Sequence, residues 1–455
     1  MRADVVVAGG GMAGLCASLA ALEAGASVIA IEKGTRSGGS MRLSGGLIWS
    51  FHDKAQLHEE IPEGNRDLQD LVVDNLDDGL NWLAGHGIEL SDSRPFMWYG
   101  QGRLVDPSEL STKLVERSVA VGGTFLLRTA LDSLRTESGR VTAMLAHEAA
   151  AAVEIEAGAV ILATGGFQGN AELVARYVTP FADKLYLRAN PWSTGDGFLA
   201  ATQIGAAVTP AMHCFYGHAL AAPPTIFTAR DFLEVTQRFG PLAVALNREG
   251  CRFADESAGT GEEYLNQFVA RQTDATAAYI VDAAIGEMSN RGAAVPRATI
   301  GRVRERGGPT LEAGTLEELC DGLAGWGIHS GRALDTLRGY NAALSNERAD
   351  GLYPARKEHR YPVVKPPFSA VLVRAGITFT CGGLEVDAEM QVLSRSQSSS
   401  MLPLTVADTT ELGATSIAGL YAAGCDVGFL SNRGYMGGLA TALVTGRGAG
   451  RAAAS

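Results

Sequence analysis

The residues best suited to chemistry near the start of the chain are glycines. Gly9, Gly11 and Gly14 form a G-x-G-x-x-G run, and Glu32 follows 18 positions after Gly14. That spacing serves a bound dinucleotide: Gly9 permits a tight turn, Gly11 lets the backbone approach a pyrophosphate, and Gly14 lets a helix pack closely on a strand. A helix opening at this point offers free N–H groups to the phosphates. Glu32 would accept hydrogen bonds from ribose hydroxyls and repel a 2'-phosphate; a solvated charge at a strand end is the plainer alternative. A second cluster, Gly38-Gly39-Ser40 followed by Ser44-Gly45-Gly46, reads as a loop running along an extended cofactor. The six cysteines are scattered without a C-x-x-C pair, which argues against structural zinc, iron–sulfur clusters and covalent haem and fits a reducing compartment.

These residues need a strand–helix–strand frame, and the surrounding sequence supplies one. Residues 4–8 are a short apolar run expected of a buried parallel strand. Residues 15–24 suit a helix closed by Gly25, and 27–31 a second strand. Residues 160–163 form another buried strand that ends in Thr164-Gly165-Gly166. Residues 191–197 open a helix, 419–426 repeat the strand-to-turn pattern, and an Ala-rich helix follows Gly437-Gly438. Cofactor-like segments thus occur at both ends, so the nucleotide domain must be discontinuous. The middle is richer in charge and carries helical stretches at 315–325 and 332–347. The expected organisation is an α/β protein: a Rossmann-like domain formed by 1–212 and 355–455, with an α+β capping domain inserted at 213–354.

Composition narrows the function classes. The 455 residues suffice for two or three domains, and 46% hydrophobic with 19% charged residues is a globular balance. A net charge of −12 argues against nucleic-acid or anionic-membrane partners. Glycine, at 56 copies, is about 12% of the chain against a usual ~7%. No apolar stretch approaches the ~18 residues of a membrane span, and no signal peptide precedes the first strand, so a cytoplasmic protein without membrane insertion is expected.

Taken together and in order, VVVAGGGMAG, IEKG, LATGGFQGN, STGDG, NREGCRFADE, GITFTCGGLEVD and GLYAAG resemble the flavoprotein superfamily of fumarate reductase and succinate dehydrogenase. That superfamily includes the ketosteroid dehydrogenases and tricarballylate dehydrogenase. The resemblance spans nearly the whole chain and implies FAD, a capping domain, and a substrate between flavin and cap. It implies that Gly9, Gly11, Met12, Ala13, Gly14, Glu32 and Lys33 hold the ADP half, with Ala130 as a backbone contact to adenine. Gly38, Gly39, Ser40, Ser44, Gly45 and Gly46 fall on the loop along pyrophosphate and isoalloxazine. Thr164, Gly165, Gly166, Asp196, Gly424, Gly438 and Leu439 complete the pocket. Where the family often has Glu after GLYAAG this chain has Cys425, which makes Asp426 the candidate for the ribityl contact. The flavin-linked His of succinate dehydrogenases is missing between Gly38 and Gly46, so the FAD is expected to be non-covalent.

Three departures bear on the reaction. Thr260 replaces the Arg acid of fumarate reductases, Phe379 a substrate-binding His, and Tyr435 a substrate-binding Arg, so fumarate reduction is disfavoured. A Tyr followed by glycines instead resembles the ketosteroid dehydrogenases, in which a phenol and a glycine N–H bind a ketone oxygen. This assigns Tyr435 and the Gly438 N–H to an oxyanion hole for α,β-dehydrogenation of a ketone, cyclic or steroid-like, or for the reverse enone reduction. The alternatives are a small-carboxylate dehydrogenase, with Arg433 on the carboxylate, and a flavin carrier without CH–CH chemistry. The general base stays open among Tyr264, His218 and Tyr216, and Cys381 and Cys425 are read as packing thiols. No nicotinamide, haem or iron–sulfur motif accompanies the FAD fingerprint, so electrons are expected to pass to or from an external partner.

Overall fold

The computed structural model describes residues 1–97, 99–149, 151–228, 231–289, 294–345, 351–394 and 415–455. Its main sheet has eight strands, with Arg2–Ala8 at the centre. Val5 to Ala8 are fully buried, the continuous apolar run that a strand covered on both faces requires. Val28–Glu32 and Ala151–Leu162 lie parallel on either side, with Val5 opposite Val28 and Ala159. Thr124–Leu127 and Thr415–Ala422 extend the parallel core outward. The antiparallel meander Thr129–Glu137, Arg140–Glu148 and Ala151–Leu162 projects from one side.

The expected first unit is present as strand Arg2–Ala8, helix Met12–Glu23 and strand Val28–Glu32. A Cβ on Gly14 would sit 1.8 Å from the Gly9 carbonyl oxygen, so only glycine allows the helix this close to the turn. The C-terminal helix Gly438–Ala453 packs against the same helix. There a Cβ on Gly446 or Gly450 would come within 2.4 and 2.3 Å of the Ala13 and Ala17 carbonyl oxygens. Interior glycine costs a helix about 1 kcal/mol relative to alanine; the approach of two backbones is what it permits. The two ends of the chain thereby pack into one body.

A second sheet has five strands. Its strands are Leu220–Ala221, Val244–Leu246, Thr276–Val281, Thr310–Ala313 and Phe368–Arg374, with helices Pro296–Glu305, Leu316–Leu323 and Ser330–Ser345 around it. Thr315 and Glu318 close a capping box where a helix start was expected, and the second expected helix ends at Ser345, residues 346 and 347 lying outside the described residues. The boundary drawn at 354 misses one strand of this sheet. Phe368–Arg374 pairs with Thr276–Val281 along six positions, yet it follows a proline-rich stretch whose composition looks like a domain edge. The segment 39–43, expected as plain loop, winds into a short 3₁₀ turn.

Candidate active site

A cavity of about 870 Å³ runs between the two units, and its walls differ from end to end. One end is backbone. Gly9, Gly11, Met12 and Ala13 line it together with Gly39, Ser40, Ser44 and Gly45. A Cβ on Gly11 would meet nothing within 4 Å, so the chain leaves open space there. Helix Met12–Glu23 begins at Gly11 without any capping side chain and without an acidic residue in its first turn, so its N–H groups are available to phosphates. Glu32 is buried, and its oxygens accept from the Gly10 amide at 2.8 Å and the Gly34 amide at 2.6 Å. These bonds hold the carboxylate on the cavity wall and remove the reading of a solvated strand-end charge.

The other expected cofactor residues divide into wall and support. Lys33, Thr164, Gly165, Asp196, Gly424, Gly438 and Leu439 are on the wall. Lys33 pairs with Asp196 at 2.7 Å, which fixes both side chains. Gly14, Gly38, Gly46 and Gly166 stand behind it: the Gly38 amide donates to Gly10, and a Cβ on Gly46 would strike the Val105 carbonyl at 2.0 Å. Ala130 lines a smaller adjoining cavity, between the wall residues Thr129 and Leu131. Asp426 is not on the wall. Its carboxylate is buried beneath the strand ends and accepts from the Thr164 amide at 2.5 Å, the Thr164 hydroxyl and the Gly166 amide. Cys425 takes the wall position instead, and burial pushes its thiol up to about 12, which keeps it protonated at neutral pH.

The opposite end of the cavity is built from side chains that two short ladders bring together. Tyr186–Leu187 pairs with Gly376–Ile377, and Phe215–Tyr216 pairs with Phe379–Thr380. Arg188, Tyr216, Thr378 and Phe379 therefore meet from segments far apart in sequence, and all four line the cavity with Tyr435. The Tyr216 and Tyr435 rings stack at 4.1 Å, Phe379 packs on Tyr216 at 5.0 Å, and Trp49 supports Tyr435 at 5.3 Å. The Gly438 amide donates to the Tyr435 hydroxyl at 3.4 Å. The Tyr435 backbone amide donates to Thr260, whose own hydroxyl is bound to Glu263 at 2.6 Å. Thr260 thus anchors the tyrosine loop and does not line the cavity.

Behind Tyr216 runs a buried polar chain. The Tyr216 hydroxyl lies 3.2 Å from His218 Nε2, and His218 Nδ1 lies 2.9 Å from Glu262. Glu262 also accepts from the Ala219 amide and the Tyr279 hydroxyl. Burial raises the Tyr216, Tyr435 and Glu262 pKa values and lowers that of His218, so both phenols and the imidazole are neutral at pH 7. Of the candidates for the base, Tyr216 faces the cavity, His218 backs it, and Tyr264 packs on Phe268 away from the wall. Arg433 is also away from the wall. Arg188 and Glu262, which sequence reasoning missed, have no motif around them to mark them.

Over residues 4–438 the chain matches the FAD binding domain family, and it belongs to that family. It is 26% identical over 477 residues to an NADH:fumarate oxidoreductase of Klebsiella pneumoniae (strain 342); the match covers 99% of this chain and 47% of that protein, about half its length. A vinyl phenol reductase of Lactiplantibacillus plantarum is 28% identical over 501 residues, covering 99% of this chain and 96% of the relative. The solved structure of 3-ketosteroid-delta4-(5alpha)-dehydrogenase from Rhodococcus jostii RHA1 superposes with a TM-score of 0.71 at 23% identity, covering 100% of this chain and 97% of that one; this likeness is one of fold. FAD is the cofactor, and the chain stands among flavin-dependent dehydrogenases and reductases that act on CH–CH bonds. Among the described residues no helix is long and apolar enough to cross a membrane.

Proposed function

We propose that the chain desaturates a ketone at its α,β carbons, or reduces the corresponding enone, with a non-covalently held FAD. The wall formed by Gly9, Gly11, Glu32 and the segment from Gly39 to Gly45 holds the cofactor, which supplies hydride chemistry when bound. The chain's own residues supply the rest. The observation that carries the reading is the Tyr435 hydroxyl 3.4 Å from the Gly438 amide on the cavity wall. The amide donates to the hydroxyl in this arrangement; a carbonyl oxygen that accepted from both the amide and the phenol would have its developing charge stabilised by two donors. A phenol kept neutral by burial suits that role, because a donor needs its proton.

Tyr216, neutral at pH 7, is placed to give the α carbon its proton in the reducing direction, with His218 and Glu262 behind it as the route by which that proton is replaced. All six cysteines are unpaired, which suits a reducing compartment such as the cytoplasm. Electrons pass to or from an external partner. Phe379 and Tyr435 leave the wall without the His and Arg expected for a dicarboxylate, so dithionite-reduced enzyme should be reoxidised anaerobically by 2-cyclohexenone at least ~10-fold faster than by fumarate. Faster reoxidation by fumarate would overturn the ketone reading, and flavin that stays in the pellet after acid precipitation would contradict non-covalent binding.

A further inference from the structure

We propose that Arg188 binds a carboxylate carried by the substrate in addition to its reacting carbonyl, so that the substrate is a cyclic keto acid rather than a neutral ketone. This rests on the reading of the cavity given above. Arg188 follows strand Tyr186–Leu187, and its backbone amide donates to Ile377 at 2.8 Å, which fixes where the side chain starts. Its guanidinium lies 4.6 Å over the Phe232 ring and donates from Nη1 to Thr378 at 3.2 Å, on the wall shared with Tyr216, Phe379 and Tyr435.

What this guanidinium lacks is an anion. Among the described residues no carboxylate pairs with it, and its Nε is buried without an acceptor. Glu262 is the carboxylate whose field reaches it, and the Glu262 oxygens are already taken by His218, Ala219 and Tyr279. A guanidinium cannot shed its charge by deprotonation at physiological pH, so a half-buried one left unpaired is unfavourable until a ligand supplies the negative charge. The planar fork matches a carboxylate, and the neighbouring Phe232, Tyr216 and Phe379 rings provide apolar surface for a ring-bearing ligand. Arg238 is exposed and lines the same cavity.

The test uses the oxidised FAD-loaded enzyme and two probes, 4-oxocyclohex-2-ene-1-carboxylate and its methyl ester, each titrated against the visible flavin spectrum. The acid should bind at least ~10-fold more tightly than the ester, and added NaCl should weaken the acid alone. Arg188→Met should bring the two probes to equal affinity, while Tyr435→Phe should leave their ratio unchanged. Equal binding by the wild type, a preference that survives in Arg188→Met, or no spectral response to either probe would overturn the proposal. If Arg188→Met does not load FAD, the salt dependence of the wild type decides alone: acid and ester responding alike to NaCl counts against it. Selective binding of the acid without turnover by reduced enzyme would instead sink the ketone reading and leave Arg188 in place. Turnover of both probes with equal KM would do the reverse.

Discussion

The two ends of the cavity are made in opposite ways. At the nucleotide end the backbone itself is the binding surface: Gly9, Gly11, Gly39 and Gly45 present peptide groups, and the turn that sets them has room for no Cβ at Gly9, 2.1 Å from the Ala163 carbonyl oxygen, or at Gly14 behind the wall, 1.8 Å from the Gly9 carbonyl oxygen. At the substrate end Tyr216, Tyr435, Phe379 and Arg188 project into the space from two-residue ladders and one loop. A backbone surface tolerates almost no substitution, because the shape of the chain is the function. A side-chain surface can be rewritten without disturbing the fold, which is how one family serves several substrates.

The contrast is broken most severely at the glycines. Gly14→Ala places a methyl against the Gly9 carbonyl oxygen and should abolish recovery of folded, FAD-containing protein. Gly11→Ala adds the same methyl where nothing lies within 4 Å, so the chain should fold, with a thermal midpoint near that of the flavin-free wild type, yet retain under a tenth of the FAD. Full FAD occupancy in Gly11→Ala would mean that the pyrophosphate does not approach this backbone. At the side-chain end Tyr216→Phe should keep FAD and stability while slowing turnover by ~10²-fold, the lower range for a positioned proton donor or acceptor. An unchanged rate would assign the proton to another group.

The smallest effect concerns His218. Burial first, and then the Arg188 and Arg238 charges, hold its imidazole well below the ordinary value of 6.5. Below about that pH the unfolded chain therefore takes up a proton that the folded chain refuses, and the group's contribution to stability falls as the solution is acidified. Thermal unfolding of His218→Gln at pH 5.5 and pH 7.5 should show a smaller difference between the two than wild type does. An identical difference would place the acid sensitivity elsewhere.

The same contrast explains which parts of the molecule were legible in the sequence. Gly9, Gly11, Gly14 and Glu32 announce themselves because a strand, a tight turn and a helix demand those residue types at fixed spacing. Tyr435 was legible by its place before Gly437-Gly438. Arg188 was not: it meets Thr378 across 190 residues of chain, and the ladder that aligns them is two residues long, too short for any periodicity. Asp426 was read as a cofactor contact from its neighbours, but the amides of Thr164 and Gly166 draw its carboxylate inward, and such a competition for hydrogen bonds leaves no trace in one sequence. The strand Phe368–Arg374 was missed for a related reason: its partners Thr276–Val281 and Thr310–Ala313 lie far upstream.

The central claim is that Tyr435 polarises the carbonyl beside the reacting bond. Its most direct test is the anaerobic rate at which dithionite-reduced Tyr435→Phe is reoxidised by 2-cyclohexenone, set against wild type at equal FAD content. The substitution keeps the ring stacked on Tyr216 and removes one donor, so the rate should fall by ~10²-fold or more, the loss typical of one preorganised donor to a developing oxyanion. A variant that runs at the wild-type rate would contradict the account and leave Tyr435 a packing aromatic.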